Sequence, residues 1–336
     1  MSATLTLTHA ASGSSLELVP DAGMVALSWM VAGEEVLALP CGRDEFLAAA
    51  RTGGLPILYP YANRLGADSF EVCGKRVDLA GVPSLKRDDR RHPIHGLMLR
   101  RGGWSLAVHG PGHLSAELDW GASPELMRAF PFAHTLRITW TLSGGATPGA
   151  AVLRVDAAVS ADRGADVPAA FGWHPYFAVR EPATATLQRA PMAGIALGAD
   201  GLPKDDGLPE ECLPAAGAQA APHTEGVGQG QDALFMRTGI AAAADPSPVP
   251  VASIIDAHRR IDIRMNGHYP YVQVFSPHGA AFMCVEPMAA PTDGLRSGHF
   301  TTVRAGSSLN ASFEVEVIPC LPATSTGLRK PPSSGA

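Results

Sequence analysis

Apolar and polar positions alternate with a period of two in segments spread along the whole chain. Leu5 and Leu7 stand between Thr4, Thr6 and Thr8. Leu114, Ala116, Leu118 and Trp120 keep the same step, as do Leu136, Ile138, Trp140 and Leu142, and then Leu153, Val155, Ala157 and Val159. The step returns in Ile261, Ile263 and Met265 and in Ala311, Phe313, Val315 and Val317. Successive side chains of a strand point to opposite faces, so each run predicts an antiparallel strand with one buried and one solvated face. Between the runs, Ser12-Gly13-Ser14, Ala32-Gly33, Gly74-Lys75 and Gly144-Gly145 predict hairpin turns.

Helical periods are rare. One is expected from Asp44 to Ala50, and another at Ser123-Pro124-Glu125-Leu126-Met127, where Ser123 caps and Pro124 takes the first helical position. The pattern predicts an all-β fold, a large antiparallel β-sandwich with few short helices. Residues 1–321 are expected to form a single domain. The stretch from Gly198 to Gln231, dense in Gly, Pro, Ala and Asp, reads as a long surface excursion. The tail from Pro322 to Ala336 has too little apolar surface to offset its ordering entropy and is expected to be disordered.

Composition narrows the function. The 336 residues are 46% hydrophobic and only 17% charged, enough to bury a large core, and the net charge is −6. Mild acidity without Lys/Arg runs argues against a nucleic-acid partner. No apolar run reaches the roughly 18 residues a membrane helix needs, and the first residues lack a signal-peptide pattern, so a cytoplasmic protein is expected. Cys41, Cys73, Cys212, Cys284 and Cys320 are scattered and form no CxxC pair, which predicts neither a disulfide framework nor a zinc finger. No nucleotide-binding glycine motif follows a strand.

Four islands combine polar groups with stiff backbone. In Leu55-Pro56-Ile57-Leu58-Tyr59-Pro60-Tyr61-Ala62-Asn63-Arg64, the prolines fix the path that presents Asn63 and Arg64. The Arg64 fork can hold two oxygens of a polyol, carboxylate or phosphate, although an ion-paired arginine at a strand end has the same signature. His92-Pro93-Ile94-His95-Gly96 leads to Arg100, Arg101 and Trp104. A His-x-x-His pair invites a metal, but no third ligand stands at a recognisable spacing; His95 beside Gly96 suits a hydrogen-bonding imidazole at a close backbone approach. Trp104 fits a sugar platform or the core. Phe171-Gly172-Trp173-His174-Pro175-Tyr176-Phe177 sets one imidazole among aromatic rings, where its pKa can be tuned or where backbone groups can satisfy it. In Phe282-Met283-Cys284-Val285-Glu286-Pro287-Met288 a carboxylate follows four apolar residues, a costly place for a charge without a partner or a task. A candidate acid and a candidate base far apart in sequence suit proton transfer at two positions of one substrate.

Taken together and in order, these islands resemble the aldose 1-epimerase (mutarotase) family. The correspondence runs over roughly residues 15 to 318: PYANRLG, His95-Gly96 with Trp104, HPYF at 174 to 177, Asp232-Ala233-Leu234-Phe235, VEPM at 285 to 288, and a closing strand. The resemblance implies a galactose mutarotase-like sandwich that binds a pyranose and needs no metal or organic cofactor. It implies His174 as general acid toward the ring oxygen, Glu286 as general base on the anomeric hydroxyl, and Arg64, His95 and Asp232 as sugar contacts, with Asn63 in support. The implied substrate is a free aldohexose, with neither nucleic acid nor membrane as partner. Galactose mutarotases carry Asn before the catalytic His, where this chain has Trp173. Arg100 and Arg101 keep open a hexose-6-phosphate 1-epimerase. The same islands would also suit a carbohydrate-binding module without turnover, or a metal enzyme using His92 and His95.

Overall fold

The computed structural model describes residues 4–49, 51–83, 85–204, 222–239 and 247–320. Its strands pair antiparallel in two principal sheets, one of nine strands and one of seven, with a four-stranded sheet formed by residues 5–35. The alternating segments occupy the nine-stranded sheet: His113–Asp119, His134–Gly144, Ala151–Ala161, Arg259–Met265 and Ser308–Pro319. Ala151–Ala161 alternates buried and half-buried residues without a break, as period-two patterning requires. The hairpins at Ala32-Gly33, Gly74-Lys75 and Gly144-Gly145 join paired strands.

The seven-stranded sheet runs in order through Met192–Ile195, Gln231–Arg237, Tyr271–Ser276, Phe282–Met288, Gly172–Trp173 and Ile57–Leu58, and Tyr176–Ala178 also pairs with Phe282–Met288. Aromatic side chains lock it to the nine-stranded sheet. Trp173 meets Trp140 edge-on with ring centroids 5.3 Å apart, and Phe313 packs on Trp173 at 5.7 Å. One continuous hydrophobic cluster spans residues from Leu7 to Val317.

Helices are short, at Arg43–Ala48, Pro124–Ala129 and Gly294–Ser297. The first starts one residue before the sequence expectation and ends before Ala49. The second is capped as expected, the Ser123 side chain accepting from the Leu126 N–H. The excursion is more ordered at its end than its composition implies: His223–Gly226 pairs with Thr186–Arg189 at the edge of the nine-stranded sheet, and Gln231 opens a strand. Backbone pairing overrides composition here, because an edge strand needs a neighbour's N–H and C=O groups more than its own side chains. The remainder of the excursion at 205–221, with Cys212, and the tail at 322–336 lie outside the described residues. Among the described residues no helix is long and apolar enough to cross a membrane.

Candidate active site

The site is assembled where the central strands of the seven-stranded sheet meet a tight backbone crossing. Phe282–Met288 carries Glu286, and its register places Gln273 of the neighbouring strand opposite Glu286. On the other side it pairs with Gly172 and with Tyr176. His174 falls in the gap between these two short strands, because Pro175 has no N–H to continue the ladder. The His174 N–H is bonded instead to the Pro56 carbonyl at 3.1 Å.

From Ile57–Leu58 the chain runs on to Asn63 and Arg64 and crosses residues 94–97. His95 N–H donates to the Asn63 carbonyl (2.7 Å) and Leu97 N–H to the Tyr59 carbonyl (2.6 Å). Gly96, at φ 71°, lets this crossing form, since a Cβ there would fall onto the Tyr59 backbone. The close approach expected at His95-Gly96 is therefore present. Asn63 (φ 50°) and His95 (φ 67°) both adopt left-handed backbone without being glycine, strain that persists only where surrounding contacts fix it.

The side chains converge on a cavity of about 260 Å³ lined by Thr52, Asn63, Arg64, Lys86, Ile94, His95, His174, Tyr176, Asp232, Gln273, Phe275 and Glu286. His174 Nε2 lies 3.5 Å from Glu286 Oε1 and 3.3 Å from the Tyr176 hydroxyl, which is 2.7 Å from Thr52 Oγ1. The Tyr176 ring stacks on the imidazole at 4.5 Å between centroids, and His95 meets it edge-on at 5.3 Å. Opposite, Asn63 Nδ2 donates to Gln273 Oε1 (3.2 Å) and Gln273 Nε2 donates to Asp232 Oδ1 (2.6 Å). Arg64 is steered by an ion pair from Nε to Asp88 (3.2 Å) and a hydrogen bond from Nη1 to the Gly201 carbonyl (3.2 Å).

Burial sets the protonation of the central pair. His174 is 5% exposed and Glu286 2%. Removal from water, with Lys86 adding repulsion, brings the His174 pKa down to about 3. Removal from water and the Asp232 charge push Glu286 well above the ordinary carboxylate range, against the pull of Arg64. His95 is also driven well below its ordinary value, first by burial and then by Lys86. Burial thus favours neutral imidazole with protonated carboxyl over the charge-separated form of the His174–Glu286 pair.

All six residues singled out from the sequence line this cavity: His174, Glu286, Arg64, His95 and Asn63 in its wall, and Asp232 at its exposed rim. The others do not reach it. His92 Nδ1 lies 3.4 Å from Asp88, and among the described residues no three His, Cys, Asp or Glu side chains group as metal ligands do. Arg100 donates to the carbonyls of Ala49 and Phe46, Arg101 pairs with Glu125 at 2.7 Å, and Trp104 donates to the Arg101 carbonyl. Trp173 is fully buried, its indole N–H on the Tyr269 hydroxyl at 2.9 Å, so the residue before the key histidine serves the core. Sequence reasoning missed Thr52, Lys86, Gln273 and Phe275. Gln273 carried a usable signal, a polar residue inside the apolar run Tyr271-Val272-Gln273-Val274-Phe275, whereas Lys86 in the charged run KRDDRR reads as solvated.

The chain is thus a large antiparallel β-sandwich that buries a histidine and a carboxylate together in a small polar pocket. The sequence profile of the aldose 1-epimerase family matches residues 4–316, and the chain belongs to that family. Solved structures share its fold. A putative aldose 1-epimerase of Escherichia coli K12 is 19% identical with a TM-score of 0.69, over 95% of this chain and 100% of that one. A galactose mutarotase-like protein of Clostridium acetobutylicum is 17% identical with a TM-score of 0.68, over 92% and 94%. The galactose 1-epimerase of Lactobacillus acidophilus NCFM is 15% identical with a TM-score of 0.68, over 94% of each chain. A comparison with curated protein sequences gives no match.

Proposed function

We propose that the protein interconverts the α and β anomers of a free aldohexose by opening and reclosing the pyranose ring, with Glu286 and His174 moving the protons. The observation that carries this reading is the 3.5 Å approach of His174 Nε2 to Glu286 Oε1 inside a pocket lined by the polar side chains of Asn63, Arg64, His95, Asp232 and Gln273. The ring oxygen and the anomeric hydroxyl sit on the same carbon, so an acid and a base this close can serve both.

Proton accounting follows the pair. In its reactive form the proton is on His174; Glu286 accepts the proton of the anomeric hydroxyl while His174 gives its proton to the ring oxygen, and the C1–O5 bond breaks. The pair is left as neutral imidazole and protonated carboxyl, the distribution that burial favours. Rotation about C1–C2 and reversal of both transfers give the other anomer. Each positioned acid or base contributes about 10²–10⁴-fold. Arg64, His95, Asn63 and Asp232 would hold the remaining hydroxyls while C1 turns. Arg100 and Arg101, occupied by backbone carbonyls and Glu125, are not free to grip a phosphate, which favours an unphosphorylated sugar.

Polarimetry of freshly dissolved α-glucose and α-galactose tests this. Wild type is expected to raise the rate above buffer, and His174→Asn and Glu286→Gln each to lower the enzymatic rate by at least about 100-fold. Sugar binding by wild type with the rate left at the buffer value would replace the enzyme with a binding module.

A further inference from the structure

Lys86 stands in the wall of the pocket as a cation without a counter-charge. It lines the site with His95 and His174, and it also lines a neighbouring cavity of about 130 Å³ edged by Gly96, Arg100 and Arg101. Its backbone is held in place, the carbonyl accepting from the Ile94 N–H at 3.0 Å. The half-buried ammonium has no hydrogen bond or ion pair among the described residues. The charges that act on it are those of Arg51 and Arg100, both positive, and with burial they hold its pKa below the ordinary lysine value. The carboxylates nearby are engaged elsewhere: Asp88 pairs with Arg64, Asp232 accepts from Gln273, and Glu286 faces His174. A half-buried cation that no protein group pairs is met by water alone, and a ligand anion would take that water's place and supply the missing charge.

We propose that the pocket takes an aldose bearing one carboxylate, a hexuronate, whose carboxylate is met by the Lys86 ammonium. This rests on the aldose reading of the site and names its substrate class. One lysine supplies one compact charge with three rotatable donors, a match for a monoanion. A phosphate dianion calls for a guanidinium fork or a second available cation, and the two arginines of the neighbouring cavity, Arg100 and Arg101, are already engaged.

The test compares kcat/KM for anomer exchange of glucuronate, galacturonate, the parent hexoses and glucose 6-phosphate in wild type, Lys86→Met and Lys86→Arg. Wild type is expected to favour a uronate over its parent hexose by about tenfold or more at low ionic strength, a preference that salt reduces. Lys86→Met should bring the ratio to one or below, and Lys86→Arg should keep most of it. A wild-type ratio at or below one, a ratio unchanged in Lys86→Met, or glucose 6-phosphate as the best substrate would overturn the proposal. Calorimetric binding separates this from the activity itself. Uronate binding that is lost in Lys86→Met, with no exchange accelerated, would keep the anion site and reject the epimerase. Hexose turnover with no uronate preference would do the reverse.

Discussion

Two strands in the packed sheets use the same alternation to opposite ends. In Ala151–Ala161 one face enters the core and the other meets water, and its polar face is stitched by Arg154, which pairs with Asp156 at 2.7 Å and Glu314 at 2.9 Å. In Phe282–Met288 both faces are covered. Met283 and Val285 join the main core, while Glu286 shares the other face with Cys284 and with Met288, which packs on Leu58, Ala62, Ile195 and Leu234. On the first strand water screens any imperfect pairing; on the second, each polar group needs a specified protein or ligand partner. The difference teaches that a polar residue informs about function when its strand has no wet face.

The largest effect on this comparison is expected in the shared core. Trp140→Ala removes the ring that Trp173 packs against from the other sheet and should cost about 3–5 kcal/mol in urea unfolding. A loss under 1 kcal/mol would mean the two sheets are not locked there. Next comes pH. A single proton on the His174–Glu286 pair should give a kcat/KM plateau between the titrations of the two groups. It falls on the acid side as His174 takes a second proton toward about 3, leaving no base. It falls on the alkaline side, above the ordinary carboxylate range, as Glu286 releases the last proton and leaves no acid. The same sign governs stability: a histidine with a depressed folded pKa stabilises above its unfolded value near 6.5, a contribution lost as pH falls toward about 3. An acid limb in kcat/KM centred near 6.5 would show that the imidazole titrates independently. The smallest effect belongs to the wet face, where Arg154→Met should cost about 1 kcal/mol or less in the same unfolding measurement, and less still in high salt.

The sandwich was legible because long runs such as Leu153 to Val159 leave no other period open. Glu286 and His174 were legible as pocket candidates because Glu286 interrupts an apolar run and His174 is set among rings and Pro175. What the pattern could not carry is distance across the fold. Asn63 and Gln273 are 210 positions apart in sequence and share a hydrogen bond. Thr52 reaches His174 only through Tyr176. Lys86 is drawn into the pocket wall beside the segment whose crossing depends on Gly96, a placement that no local charge pattern encodes. The proton distribution was not legible either, since it follows from how completely the pair is withdrawn from water.

The amide of Gln273 joins Asn63 to Asp232, and an amide has a giving end and a receiving end. With Asn63 giving to Gln273 and Gln273 giving to Asp232, the relay runs in one direction only. It terminates on the Asp232 carboxyl, which accepts from Gln273 and whose pKa burial raises against the pull of Arg64 and of that hydrogen bond. In its ionised form that carboxyl can only receive, so a ligand atom meeting it there would have to bring a hydrogen of its own: a hydroxyl would suit where an ether or a methylated oxygen would not.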